Sequence, residues 1–112
     1  MITLDTERKV LCVHNNYIGL SPRNLIICEV LFRRPGRVVA YESMFSLLWG
    51  DDVNGGPIDP RNRLAVNIWR LHKRIYLFEP RKVICVRWGT GYYIDTTVTE
   101  KITCPNSVNQ VL

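Results

Sequence analysis

The spacing of apolar positions changes character along the chain, from β-type alternation to helical repeats and back. Met1–Leu4, Val10–His14 and Tyr17–Leu20 are short β-type runs, separated by Asp5-Thr6-Glu7 and by Asn15-Asn16. Asn tolerates positive φ, so Asn15-Asn16 predicts the turn of a hairpin over Val10–Leu20. Ser21-Pro22 marks a helix start, because Ser caps free amides and Pro is preorganised for the first helical position. Leu25, Cys28, Leu31 and Phe32 follow at helical spacing, and Ile26, Ile27 and Val30 widen the stripe to that of a buried helix. Pro35-Gly36 stops it. A second helix is predicted from about Tyr41 to Leu48, with Met44, Phe45, Leu48 and Trp49 turned inward.

Gly50–Pro60 reads as a loop, with three glycines, two prolines and the carboxylates Asp51, Asp52 and Asp59. A loop this long in a small domain is often functional. The third helix, roughly Arg61 to Tyr76, carries the clearest pattern. Leu64, Ile68, Leu71 and Ile75 form one apolar seam, and Arg63, Asn67, Arg70 and Arg74 form a second stripe about 100° away. Asn62, Val66 and Lys73 lie further round, roughly opposite the core. Lys82–Trp88 and Tyr92–Thr99 then predict a hairpin with Gly89-Thr90-Gly91 at its turn. From Glu100 the chain is polar, so the expectation is one domain over 1–99 and a flexible tail over 100–112, in which Val108–Leu112 has the means to pack down.

Composition narrows the chemistry. At 112 residues there is room for one domain, and 46% hydrophobic against 22% charged is globular rather than disordered. No apolar run approaches the ~18–20 residues of a membrane span, and no leader pattern opens the chain. The expectation is a soluble, cytoplasmic protein with no membrane partner. Cys12, Cys28, Cys85 and Cys104 are scattered without a C-x-x-C pair, which predicts neither a metal site nor a disulfide framework. Cys12 and His14 stand two apart on a predicted strand, the spacing of a nucleophile and its base. No third orienting group or phosphate loop accompanies them, so no enzyme, catalytic residue or cofactor is expected; His72 is expected to face the flank or a phosphate rather than a metal.

Charge changes the picture more. Fifteen Lys and Arg oppose ten Asp and Glu overall, but from Arg61 through Arg87 eight basic residues oppose only Glu79. No acid lies between Asp59 and Glu79. An ordinary surface helix mixes signs, so this segment points to a polyanion.

The order of elements describes a winged helix-turn-helix, an α+β fold with an N-terminal antiparallel sheet, three helices and a C-terminal hairpin wing. Leu20-Ser21-Pro22, Arg34-Pro35-Gly36-Arg37-Val38-Val39, Leu48-Trp49-Gly50, Val66-Asn67-Ile68-Trp69-Arg70-Leu71-His72-Lys73 and Trp88-Gly89-Thr90-Gly91-Tyr92 follow one another at a characteristic spacing. In this the chain resembles the OmpR/PhoB-type effector domains of response regulators over about residues 1–96. The resemblance implies that the third helix enters the major groove of double-stranded DNA and that the wing reaches the adjacent minor groove. It implies a base-reading role for Arg70, a thymine-methyl contact for Val66 and a DNA contact for Asn67. It also places the 50–60 loop, with Asp51, Asp52 and Asp59, where activators of the family touch RNA polymerase. Asn62 and Arg63 depart from the family's common Arg-Thr, Trp69 replaces a frequent arginine, and Trp88 stands where a minor-groove arginine is frequent, with Arg87 one residue earlier.

The resulting expectation is a sequence-specific transcription regulator, bacterial or phage-encoded, binding repeated half-sites as two copies. Arg63, Asn67, Arg70 and Val66 would read or frame bases, with Asn62 at the start of the same helix. Lys73, Arg74, Lys82 and Arg87 would hold phosphates, and either Arg87 or Trp88 would reach the minor groove. The length leaves no room for a receiver domain, so phosphorylation control is not expected. The competing reading is a winged-helix module that binds RNA polymerase or a regulator without reading DNA.

Overall fold

The computed structural model describes residues 2–52 and 55–95, together with the backbone of Ile102–Thr103. Strands β1 (Ile2–Asp5), β2 (Val10–Val13) and β3 (Asn16–Gly19) form an antiparallel meander. Ile2, Leu4, Leu11, Val13 and Ile18 are buried on one face of it, as a period of two requires. The β2–β3 turn falls one residue earlier than the Asn-Asn pair suggests. His14 and Asn15 hold positive φ, 49° and 71°, and Val13 pairs with Asn16. Two successive positive-φ residues match the right-handed twist of the flanking strands. The Asn16 side-chain amide donates to the carbonyls of Val13 and His14 at 3.3 and 3.1 Å, which holds this register. His14 is therefore a turn residue, not a strand neighbour of Cys12.

Helix α1 (Pro22–Phe32) starts as its sequence dictates: the Ser21 hydroxyl accepts the Asn24 N–H at 3.2 Å, and Pro22 opens the first turn. It buries Ile27, Cys28, Leu31 and Phe32. A short strand β4 (Val39–Ala40) leads into α2 (Tyr41–Trp49), which buries Tyr41, Met44, Leu48 and Trp49. Helix α3 (Pro60–Ile75) is capped by Asp59, whose carboxylate accepts the Asn62 N–H at 3.2 Å. Leu64, Ile68, Leu71 and Ile75 are all buried, so the predicted seam is the one that anchors the helix.

The wing consists of β5 (Ile84–Arg87) and β6 (Gly91–Ile94), joined by Trp88-Gly89-Thr90. Gly91 is a strand residue opposite Arg87, so this turn also lies one residue earlier than read. Strand β4 pairs with the far edge of β6, giving the order β4-β6-β5. The Tyr41 N–H donates to the Thr90 carbonyl and the Gly36 N–H to the Ile94 carbonyl, each at 3.0 Å, tying the wing to the α1–α2 connection. Strand β7 (Ile102–Thr103) runs parallel to β1 in a first sheet of order β3-β2-β1-β7. The other residues of the 100–112 segment, and those of the Tyr92–Thr99 run beyond Asp95, lie outside the described residues.

Two buried polar side chains fix the layers. His72 accepts the Ile84 N–H on Nε2 at 3.0 Å, so its ring is neutral with the proton on Nδ1, stacked on Tyr76. It thus faces β5, not the flank or a phosphate, because α3 brings it onto the wing side of the seam. Burial, and secondarily the charge of Lys82, lower its pKa from 6.5 to about 4. Glu79 is 2% exposed and accepts from the Arg81 guanidinium at 3.1 and 3.2 Å, the Arg81 backbone N–H at 2.9 Å and His14 Nε2 at 2.8 Å. The side-chain and backbone bonds from Arg81 bring its pKa down to about 2. This carboxylate joins the β2–β3 turn to the segment between α3 and β5.

Two predictions follow from these contacts. A Cβ at Gly91 would run into the Val39 carbonyl, whereas one at Gly89 meets open space and only a φ of +81°. Gly91→Ala should therefore destabilise by about 1–3 kcal/mol or more, and Gly89→Ala by about 1 kcal/mol; urea denaturation of the two variants measures the difference. The second concerns pH. The unfolded chain protonates His72 more readily than the folded one, so its contribution is complete above about pH 6.5 and is lost towards about 4. Glu79 contributes above about 4.5 and loses its contribution towards about 2. Urea midpoints should fall from about pH 6.5 to about 4.5 in the wild type and less steeply in His72→Gln, which keeps an acceptor without titrating; identical profiles would refute the role of His72.

Candidate nucleic-acid interface

The side of α3 away from the seam gathers exposed cationic side chains. Arg63, Arg70 and Arg74 are exposed along one stripe, with Asn67 half-buried between them. Asn62 and Lys73 are exposed beside it, and Val66 is half-buried. Ion pairs among the described residues join only Arg8 to Asp5, and Arg81 and His14 to Glu79. The single acid of the 61–87 segment is thus spent on Arg81, inside the fold. Arg63, Arg70, Lys73, Arg74, Lys82 and Arg87 lie beyond ion-pair distance of any described carboxylate, and their charge is presented to solvent. Lys73 Nζ sits 4.6 Å above the Trp69 ring and the Arg61 guanidinium 4.2 Å above Tyr41, two cation–π contacts that hold long side chains against the surface.

Between α3 and the wing runs a groove of about 580 Å³, with Ile68 and Trp69 on one wall and Ile84 and Val86 on the other. Lys82 and Trp88 border it. Trp88 is 85% exposed at the wing turn and continues the row of Ile84 and Val86; Arg87 belongs to the alternate row with Cys85. The structure therefore brings Arg63, Asn67, Arg70 and Arg74 together on one face, sets Lys82 and Trp88 on the groove, and places Arg87 on the opposite face of the wing.

In the loop, Asp51 and Asp52 are exposed, while Asp59 combines exposure with its capping bond. Of the described cysteines, Cys28 is buried and its thiol is pushed up to about 12 by burial; burial also raises Cys85. Neither is an activated thiolate. No group of three or more described His, Cys, Asp or Glu side chains is placed to hold a metal ion. No helix of the described residues is long and apolar enough to cross a membrane. One residue missed by sequence reasoning belongs with this face: Arg23 of α1, which borders the same hollows as Arg63, Asn67 and Arg70. Its signal was a cation in the first turn of a helix, where the helix dipole disfavours one.

Comparison with known proteins agrees with this geometry. Residues 15–94 match the family model described as "Transcriptional regulatory protein, C terminal". The regulatory protein VanRc of Enterococcus gallinarum is 29% identical over 85 residues, covering 74% of this chain and 35% of the relative. The response regulator protein GraR of Staphylococcus saprophyticus is 27% identical over 89 residues, covering 80% and 38%. The chain thus spans well under half the length of these relatives. The solved C-terminal domain of the nisin resistance regulator NsrR, a lantibiotic response regulator, superimposes with a TM-score of 0.64 at 32% identity, over 84% of this chain and 91% of that one. With the fold, the α3 face and the matched residues in agreement, the chain belongs to the OmpR/PhoB-type family of DNA-binding transcriptional regulatory C-terminal domains, a family of DNA-binding modules rather than of enzymes.

Proposed function

We propose that this domain binds double-stranded DNA in a sequence-specific manner, with α3 in the major groove and the wing turn at the adjacent minor groove. The observation that carries the reading is the α3 stripe: three exposed arginines and an amide on a helix whose opposite side is buried, with no described carboxylate within ion-pair distance of the arginines. Guanidinium groups match the O6 and N7 acceptors of guanine, and amides match adenine, so Arg70, Arg63 and Asn67 read or frame bases. Val66 supplies an apolar contact and Asn62 a polar one at the first turn. Lys73, Arg74, Lys82 and Arg87 hold phosphates. Trp88, in the turn of the wing, is the minor-groove element, since it is 85% exposed there while Arg87 lies in the row facing away from α3.

On this reading residues 1–99 act as one DNA-binding unit, in the cytoplasm. Two copies occupy repeated half-sites about one helical turn apart, a spacing that brings both recognition helices to one side of the duplex. Asp51 and Asp52 offer an acidic surface to a basic face of RNA polymerase.

Selection of random duplexes at ~150 mM salt should enrich a repeated motif. With about four to six phosphates neutralised, log K against log salt should slope at about −4 to −5. Arg70→Ala should lose about 1–3 kcal/mol of discrimination at one base position, whereas Arg74→Ala should weaken all sequences alike and shallow the slope. Equal losses on selected and random DNA for Arg70→Ala would remove its base-reading role. The exposed Trp69 and Trp88 favour the second reading, a partner-binding module, and folded protein that enriches no motif would move the conclusion there. For the loop, Asp51→Asn with Asp52→Asn should lower activated transcription in a purified polymerase assay and leave DNA affinity nearly unchanged; unaltered activation would eliminate the polymerase contact.

A further inference from the structure

Arg23 stands in the first turn of α1, against the local dipole, and no described carboxylate lies within ion-pair distance of it. Helix stability does not explain a cation there. Its surroundings do. A niche of about 290 Å³ is bordered by Arg23 from α1, Arg63 and Asn67 from α3, and Trp49, Asp52 and Gly56 from the end of α2 and the loop. On its other side Arg23 borders a second hollow, of about 550 Å³, that includes Asn67 and Arg70. The Arg23 guanidinium lies 5.7 Å from the centre of the Trp49 ring, which limits where the side chain reaches. The loop closes against the same indole: a Cβ on Gly56 would stand 2.8 Å from the Trp49 Cβ, at a φ of +82°. Loop and indole thus pack together at the niche, which Arg23 and Arg63 line from two different helices.

We propose that Arg23 is a further DNA-contacting residue, one that seats a backbone phosphate beside the bases that Arg63, Asn67 and Arg70 read or frame. The inference rests on the DNA-binding reading above and deepens it. Guanidinium forks suit phosphate oxygens, and a phosphate held from α1 beside the α3 side chains would set the rotation of the recognition helix about its axis. Asp52 is the one acid among the described residues that line the niche, and it lies beyond ion-pair distance of both arginines; its negative charge disfavours a phosphate on the loop side.

The test is a salt series of binding titrations with the intact protein, on a selected duplex and on a random one. Wild type, Arg23→Ala, Arg23→Lys and Arg70→Ala are compared, and thermal unfolding confirms that each folds. Arg23→Ala should weaken both duplexes by roughly tenfold and reduce the salt slope by about 0.9, the loss of one phosphate. The ratio between the two duplexes should stay at the wild-type value. Arg23→Lys should recover the slope and part of the affinity. An unchanged slope in Arg23→Ala, or a loss without recovery in Arg23→Lys, would reduce Arg23 to packing on Trp49 and overturn the proposal. A loss confined to the selected duplex would do the same. If wild type binds neither duplex, the DNA-binding reading fails first, and this phosphate seat with it.

Discussion

Every functional feature of this domain depends on one constraint: α3 has to be held along one side so firmly that the other side is free to carry unopposed charge. Leu64, Ile68, Leu71 and Ile75 provide that hold. Fully burying four such side chains contributes about 1.5–3 kcal/mol each, an upper figure because the unfolded chain already hides some apolar surface. The charged side works against the helix, since Arg70 and Arg74 are like charges at i and i+4, costing about 0.2–0.5 kcal/mol. The seam outweighs this comfortably. Lys73 and Arg74 also lie in the last turn, where the helix dipole favours cations. A helix can therefore keep a row of arginines with no described carboxylate within ion-pair distance of them.

Holding the helix is not enough, because a wing and a recognition helix act together only at a fixed relative position. Apolar packing alone permits sliding, and here directional bonds remove that freedom. His72 reaches from the seam side of α3 to a backbone N–H of β5, while Thr90 and Ile94 accept backbone N–H groups of Tyr41 and Gly36. Glu79 performs the same service between the first sheet and the segment leaving α3. Each of these groups is expensive to leave unsatisfied once buried, so the bonded arrangement is strongly preferred over neighbouring ones. The only acid in the basic segment serves the fold, and for that reason it does not dilute the charge on the surface.

What was legible in the sequence follows the same division. The Ser21-Pro22 start, the α3 seam and the basic stripe are local or periodic signals, and the structure reproduces them closely. Both hairpin turns were recognisable from Asn and Gly, but each sits one residue earlier than read. The choice between adjacent turn residues is settled by strand register, such as Val13 opposite Asn16 and Arg87 opposite Gly91, which composition does not encode. Strand β4 was missed because two residues carry no periodicity; only the long-range pairing of Val39 with Tyr92 defines them as a strand. The sequence alone points His72 to the flank or a phosphate, because an isolated helical histidine says nothing of what lies above it. Arg23 escaped for a related reason: its neighbours Arg63 and Asn67 are distant in sequence and meet it only once α1 has packed across α3.

The dimensions of the stripe bear on how such a domain achieves selectivity. From Arg63 to Arg74 the helix advances about 16 Å, which corresponds to about five base pairs of duplex at about 3.4 Å each. Five base pairs recur far too often in a genome to define a site, and each correct base adds only about 1–3 kcal/mol. A single copy therefore has limited means of discrimination, and whatever fixes the helix more rigidly in the groove raises the value of each contact it makes. On the proposed reading, contacts that carry no sequence information, such as the phosphates assigned to Arg74 or Lys82, would be useful for this reason: they would set the register in which the few base-directed side chains operate. On the same proposal the remaining selectivity would come from repetition, with a second copy reading a second short site at a fixed distance, so that the spacing between half-sites would become part of the recognised sequence.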